Sequence, residues 1–363
     1  MKKYLITGST GFIGGRLVEK LIIEKNANIT SVVRKYDNAA RIARFDTINM
    51  ELSELYDEYN MDALIANSDC VIHLAYDPIS QDNNLKAIDV ICEKCIKYSK
   101  KLIHISTISV YEPLSDNVLN ERSSSAPTGL VYADRKLEIE NKVFQFIKKG
   151  LKAIILQPTI VYGPYCAPWT IRPAYQLMSG EVILPNKGEG ICNPVYIDDV
   201  CDAIIISAIN NKGIGERFLI SGKDHITWEQ FYRSFENILN VDALKFLDID
   251  EIKKYNYNPI KLIKLILGQP KKAIAWEPLK SILLALKDKL PASTKLLIKN
   301  LYSSYSTIKP KPIYIPEKQM YLLYNAKSIV DISKAETLLG YKPKYSFVEG
   351  FLLTSKYIRW IYK

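Results

Sequence analysis

The chain alternates short, nearly all-apolar runs with longer stretches of helical periodicity. Lys3–Thr7 (KYLIT), Asn28–Val33 (NITSVV), Cys70–Tyr76 (CVIHLAY), the start of Lys101–Glu112 (KLIHISTISVYE), Lys152–Pro158 (KAIILQP) and Glu216–Gly222 (ERFLISG) read as buried strands. Strands that are apolar on both faces belong in a parallel sheet covered on both sides. Between the first two, Ile13, Leu17, Leu21 and Ile22 recur at helical spacing over residues 12–23. Further helices are predicted over Asp82–Lys97 and Tyr132–Lys148, and from near Asp198. The alternation of strand and helix predicts an α/β fold.

The first strand–helix junction carries the sequence TGSTGFIGG, in which Gly8, Gly11 and Gly14 are spaced G-x-x-G-x-x-G. Such a turn builds a phosphate cradle. Gly8 permits a tight turn, Gly11 admits a pyrophosphate to bare backbone, and Gly14 lets the helix pack closely. The helix start, with Thr10, Phe12 and Ile13, offers unpaired N–H groups to an anion. A dinucleotide site follows. The second strand ends in Arg34 and Lys35, with no acid at that end. A carboxylate there would bind a ribose 2′-hydroxyl and repel a 2′-phosphate, whereas a guanidinium grips the phosphate in a fork. NADP(H) is therefore favoured over NAD(H). The competing view is a solvated basic turn, since Arg41 and Arg44 follow.

Leu74, Ala75 and Tyr76, at the end of the CVIHLAY strand, would line the cofactor. The tail of the next strand places Ser106, Thr107 and Ser109 at a carboxyl end, where open α/β sheets hold ligands. Downstream, Tyr132 and Lys136 are four residues apart on one helix face. The lysine would lower the phenol's pKa and hold the nicotinamide ribose. The tyrosinate would exchange a hydroxyl proton as hydride moves, with Thr107 orienting the same oxygen.

These pieces together resemble the extended short-chain dehydrogenase/reductases, also called NAD-dependent epimerase/dehydratases. The segments that carry the likeness are TGSTGFIGGRL, HLAY, DNNLKAIDV, ISTISVYE, YADRK, LQPTIVYGP, VYIDDVCDAI and DISKAETLLGYKP, in that order. The resemblance implies a Rossmann-type, doubly wound parallel sheet with a smaller, mainly helical substrate lobe. It implies Thr107, Tyr132 and Lys136 as the catalytic set. It implies that Pro158 and its neighbours, Ile160 among them, flank the nicotinamide. It also implies a homodimer formed through helices Asp82–Lys97 and Tyr132–Lys148. Family members act mostly on nucleotide-activated sugars, and some reduce steroids, flavonoids or other ketones.

Three departures narrow this picture. The family's sugar-nucleotide 4,6-dehydratases carry an Asp-Glu pair directly after the catalytic threonine, and here Ile108-Ser109 follow. That argues against a dehydratase. Many members hold the substrate diphosphate with an Arg four residues before the aromatic of VYIDD. This chain has Cys192 there, followed by Asn193. Either another cation serves, with Arg172 and Lys187 as candidates, or the substrate is not a standard nucleotide sugar. The usual Arg before the proline of LQPTIVYGP is Gln157. The stretch PYCAPWTIRPAYQLMSGE is the expected substrate contact. Pro168, Trp169 and Arg172 would supply an apolar wall and a cation, with Asn193 beside them; a lobe-core role for Trp169 is the alternative.

Composition adds limits. The chain has 363 residues, 48% of them hydrophobic and 24% charged, an ordinary globular balance. The first residues are too short in apolar content for a signal peptide, and no run is long enough to span a bilayer. A cytoplasmic protein, or one at the inner membrane surface, is expected. Six cysteines do not make a disulfide scaffold. Cys92 and Cys95 form a C-x-x-C inside a helical pattern, open to a redox or zinc role or to plain helix packing. Three widely spaced histidines show no metal-ligand cluster.

Between Glu251 and Met320 lie 14 lysines and four acids, an excess that equals the chain's formal net charge of +10. Leucine and isoleucine alternate with lysine at helical spacing there. Helices covering the substrate cleft, an interfacial membrane patch and an acidic partner all fit. A lysine-studded face without arginine is a poor reader of nucleic-acid bases. The expected organisation is a core over 1–165 with a return strand at 216–222. A substrate lobe would interleave over 166–215 and 223–363, with the basic insertion at about 251–320. The expected activity is a reductase or epimerase on a sugar in surface-polysaccharide synthesis. A reductase of a hydrophobic or lipid-linked ketone, and a non-catalytic cofactor sensor, are the rivals.

Overall fold

The computed structural model describes residues 2–111, 114, 117–248 and 312–362. The chain forms two compact units: 1–170, 191–226 and 326–363 make the first, and 171–190 with 227–325 the second. This division differs from the expected one. Residues 191–215 and the C-terminal stretch from 326 fold with the sheet rather than with the smaller unit. The reason lies in their polar anchors. Tyr341 donates its hydroxyl to the Ser221 carbonyl at 2.8 Å. The Asp199 carboxylate accepts the backbone N–H groups of Lys344 and Tyr345 at 2.7 and 3.3 Å.

The first unit is built from β1 (Lys3–Thr7), α1 (Phe12–Lys25), β2 (Asn28–Val33), β3 (Ile48–Leu52), α2 (Glu58–Ala66), β4 (Cys70–His73), α3 (Gln81–Lys97), β5 (Lys101–Ile105), α4 (Val131–Lys148), β6 (Ala153–Pro158), α5 (Ile197–Ile209), β7 (Arg217–Ile220) and α6 (Phe347–Ile361). The strands form one seven-stranded sheet in the order β7-β6-β5-β4-β1-β2-β3. Every pairing is parallel; Leu5, for example, registers with Thr30 on one side and Val71 on the other. The chain steps outward from β1 to β3, then crosses back past β1 to β4. The carboxyl end of β1 is thus the topological switch point, where such sheets leave a crevice.

The apolar strands bury as their sequence requires. Leu5, Val71, Leu102 and Ile155 pack with Ile65, Ile88, Ile91 and Val143 of α2, α3 and α4 in one core. On the other face, ion pairs link α1 to α5: Arg16 reaches Asp198 at 2.6 Å and Lys20 reaches Asp202 at 2.7 Å. Asn26 ends α1 in the left-handed conformation, which asparagine tolerates well.

In the second unit, Glu181–Pro185 is the middle strand of a parallel three-stranded sheet with Leu244–Leu247 and Ile313–Tyr314. Helix Trp228–Leu239 turns Trp228, Phe231 and Phe235 wholly inward. Most of the lysine-rich segment predicted at 251–320 lies outside the described residues. Among the described residues, no helix is long and apolar enough to cross a membrane.

Candidate active site

Gly8 closes β1 with a φ of +72°, a left-handed conformation that strains any residue with a Cβ. A Cβ there would also sit 2.7 Å from the Ala75 nitrogen. At Gly14 a Cβ would lie 2.2 Å from the Gly8 carbonyl oxygen, so glycine lets the helix close onto the turn. Gly11 differs, because its added Cβ would meet only that same oxygen, at 3.2 Å. Gly11 also caps α1 in an extended conformation with no side-chain cap, and no acid occupies the first turn. The N–H groups of Phe12, Ile13 and Gly14 are thus left to an outside acceptor, and the helix dipole makes that acceptor an anion.

The turn opens onto a cleft of about 310 Å³. Gly8, Thr10, Gly11, Arg34, Leu74, Ala75 and Tyr76, all expected from the sequence, line it. Ser53, Glu54 and Leu55, beyond the end of β3, and Asp77 with Asn83 and Asn84, beyond β4, line it too and were not foreseen. The signal was there: all follow the carboxyl end of β3 or β4, on the edge of the sheet where β1 ends. Lys35 is exposed outside this lining, and Pro158 and Ile160 are buried in the sheet region beyond it. A bare anion-seeking helix start, an apolar strand end and a polar outer rim fit a dinucleotide.

The basic turn after β2 resolves into separate roles. Arg41 donates to Glu19 at 2.8 Å and stacks over Tyr165, and Arg44 reaches the same carboxylate at 2.9 Å. Both are spent on packing α1. Arg34 alone of the three lines the cleft, with its side chain 62% exposed.

Tyr132 and Lys136 stand on the first turns of α4. Lys136 is buried and donates through Nζ to the Ile105 carbonyl at 2.7 Å, at the end of β5. Burial pushes its pKa down to about 8, although Glu140 one turn on pulls it upward. Thr107 lies two residues beyond Ile105. Its Oγ1 accepts the Ser109 N–H at 3.2 Å, so its own proton is left to donate. Tyr76 joins the two halves of the site. Its ring meets that of Tyr132 edge-on at 5.5 Å, and Lys136 Nζ lies 5.5 Å from its centre. The sequence marked Tyr76 only as a cofactor contact. Beneath, His73 and His104 stack at 5.5 Å, and His73 pairs with Thr7 at 2.7 Å. Burial, then the Lys136 charge, holds both imidazoles neutral.

Gln157 gains a role here that the sequence left blank. Its amide donates to both oxygens of fully buried Glu140 at 3.0 Å, while Tyr111 donates to its carbonyl at 2.9 Å. The balancing cation comes from another strand: Arg217 on β7 reaches Glu140 at 3.1 Å. This network anchors the middle of the helix that carries Tyr132 and Lys136.

Other expectations fall differently. Asn193 is corrected: it is buried and bonded within the fold rather than open to a substrate. Its amide donates to the Ser328 carbonyl at 2.9 Å, and its oxygen meets His225 at 2.9 Å and the Val330 N–H at 3.2 Å. Cys192 is wholly buried. Trp169 is half-buried in the first unit, and Arg172 is exposed in the second. Cys92 and Cys95 belong to the core cluster, and burial pushes both thiols up, which is packing rather than redox chemistry.

Residues 4–221 match the profile of the NAD dependent epimerase/dehydratase family. The chain belongs to that family. The resemblance to extended short-chain dehydrogenase/reductases is thereby shown. Among its relatives, a dTDP-D-glucose 4,6-dehydratase of Dictyostelium discoideum is 31% identical over 266 residues, 62% of this chain and 60% of that one. The match therefore spans less than two thirds of that relative. A UDP-glucose 4-epimerase of Vibrio cholerae is 24% identical over 250 residues, 64% of this chain and 74% of its own. The family fold is seen in UDP-glucuronic acid 4-epimerase from Bacillus cereus, solved with UDP-glucuronic acid and NAD. It superimposes with a TM-score of 0.69 at 21% identity, over 99% of this chain and 100% of its own.

Proposed function

We propose that this family member is a nicotinamide-dinucleotide-dependent reductase or epimerase of a sugar, most simply a nucleotide sugar, in surface-polysaccharide synthesis. The observation that carries the reading is the junction of two halves. Tyr76 lines the glycine-turn cleft and touches Tyr132, and Lys136 is pinned to the strand end that bears Thr107. The dinucleotide, when bound, supplies the hydride donor or acceptor. Tyr132 then moves the hydroxyl proton. The Lys136 ammonium favours the phenolate form of a neighbouring phenol. Thr107 donates its hydroxyl proton to the reacting oxygen and fixes its position.

The names of the relatives, nucleotide-sugar dehydratases and epimerases, support a nucleotide-sugar substrate, and the residues after Thr107 speak against a dehydratase here. Elimination of water needs an acid and a base after the threonine, and Ile108 is buried there with no proton to give. The buried Cys192 supports a second reading, reduction of a ketone without a diphosphate. At the cofactor's ribose, exposed Arg34 supports NADP(H) over NAD(H), because Arg41 and Arg44 are committed to Glu19.

Turnover by Tyr132→Phe tests the mechanism. General acid–base catalysis contributes about 10²–10⁴-fold, so kcat should fall by that much while dinucleotide affinity holds. Full turnover on a substrate that the wild type converts would refute the assignment. Titrating NADPH, NADH, NADP and NAD into the purified chain by calorimetry settles the preference.

A further inference from the structure

Arg34 and Asp77 face each other across the cleft. Arg34 follows β2 and Asp77 lies just beyond β4, and these strands flank β1 on opposite sides. Strands sit about 4.8 Å apart, so two spacings separate the strand ends. Yet the Arg34 guanidinium comes within 3.9 Å of Asp77 Oδ2. The two side chains thus reach toward one another over the carboxyl end of β1, beside the glycine turn with its uncapped helix start. Both line the cleft.

Asp77 is held for this position. Its Oδ1 accepts the N–H groups of Ile79 and Ser80 at 2.9 and 3.2 Å. Asn84 clamps its backbone by donating to its carbonyl and accepting its N–H, both at 2.8 Å. Oδ2 is left toward Arg34, with Asn83 Nδ2 at 3.5 Å. The carboxylate is 19% exposed and the arginine 62%, so a fixed anion meets a movable cation.

We infer that Arg34 and Asp77 form a clasp over the adenosine end of the bound dinucleotide, and that a ribose 2′-phosphate competes with Asp77 for Arg34. The inference rests on the dinucleotide reading of the cleft. With a 2′-hydroxyl the clasp closes and slows release. With a 2′-phosphate the arginine turns to the ligand, the clasp opens, and Asp77 stands as a repelling charge. Asp77 therefore tempers the preference that Arg34 creates.

Release of NADH and NADPH from the full-length chain, chased with excess oxidised dinucleotide and followed by nicotinamide fluorescence, tests this. Asp77→Asn keeps the Oδ1 acceptor and so the turn, and a thermal melt checks that it does. Partly exposed ion pairs are worth about 0.2–1 kcal/mol, so Asp77→Asn should speed NADH release by about 1.4- to fivefold at about 1.4 kcal/mol per tenfold. It should also tighten NADPH binding. Arg34→Gln should speed NADH release by the same factor and weaken NADPH. The double variant should release NADH no faster than either single one, since one contact is broken in all three. Unchanged NADH release in Asp77→Asn would overturn the clasp, as would single effects that multiply in the double variant. A wild-type chain that binds none of the four dinucleotides would instead overturn the cofactor reading itself.

Discussion

Lys136→Met separates catalytic need from structural cost in one residue. The ammonium is wholly buried, with the Ile105 carbonyl as its acceptor, and burial lowers its pKa from 10.5 to about 8. At about 1.4 kcal/mol per pH unit, keeping it charged at pH 7 costs the fold about 3 kcal/mol. Methionine fills similar space without that charge. It leaves the Ile105 carbonyl unpaired, a loss of about 1–3 kcal/mol. The variant should therefore match the wild type in stability at pH 7, or exceed it by up to about 2 kcal/mol, while turnover collapses. The pH dependence fixes the sign. Below pH 8 the lysine is protonated in folded and unfolded chains alike, and the cost is full. From pH 8 to 10.5 the folded chain has shed the proton and the unfolded chain still holds it, so wild-type stability rises relative to the variant. Urea unfolding of both proteins at pH 7 and pH 9.5, followed by tryptophan fluorescence, reads this out. A variant less stable at pH 7 by more than about 3 kcal/mol, or a gap that does not move with pH, would refute the reasoning.

The same shift predicts that wild-type kcat falls through an apparent pKa near 8, as Lys136 loses the charge that supports Tyr132; a profile flat to pH 10 would contradict it. Gly14→Ala drives a Cβ to 2.2 Å from the Gly8 oxygen and must spread the phosphate turn, so dinucleotide affinity should drop by at least about tenfold, or 1.4 kcal/mol, in calorimetry. Glu140→Ala leaves the Arg217 cation without its carboxylate, a break that costs about 3–5 kcal/mol in buried pairs and is read as a lowered urea midpoint. That variant should also move the alkaline limb of kcat to lower pH, because Glu140 pulls the Lys136 pKa upward.

Much was determined by the sequence alone, and for a local reason. A strand buried on both faces must be apolar throughout, and a helix must repeat its apolar positions, so the alternation and the sheet class were legible in short windows. The glycine turn was legible too, because its φ requirement and close contacts fall on residues a few positions apart. So was the Tyr132–Lys136 spacing, which is one helical turn.

Only the tertiary structure decided what depends on residues far apart in the chain. Crossing from β3 back past β1 to β4 brings Asp77 opposite Arg34, so an acid faces the end of β2 from beyond a strand two places away. Gln157 had no role in the sequence, and the pairing of β6 with β7 gives it one by placing Arg217 beside the Glu140 carboxylate that Gln157 holds. Asn193 was expected at the substrate, and its bonds to the Ser328–Val330 segment bury it in the fold instead. The downward shift at Lys136 follows from packing that excludes water around one ammonium, a property no spacing of letters carries. Local conformational rules act within a few residues and survive in the sequence; charge pairing, burial and competition for a partner are set by the three-dimensional neighbourhood.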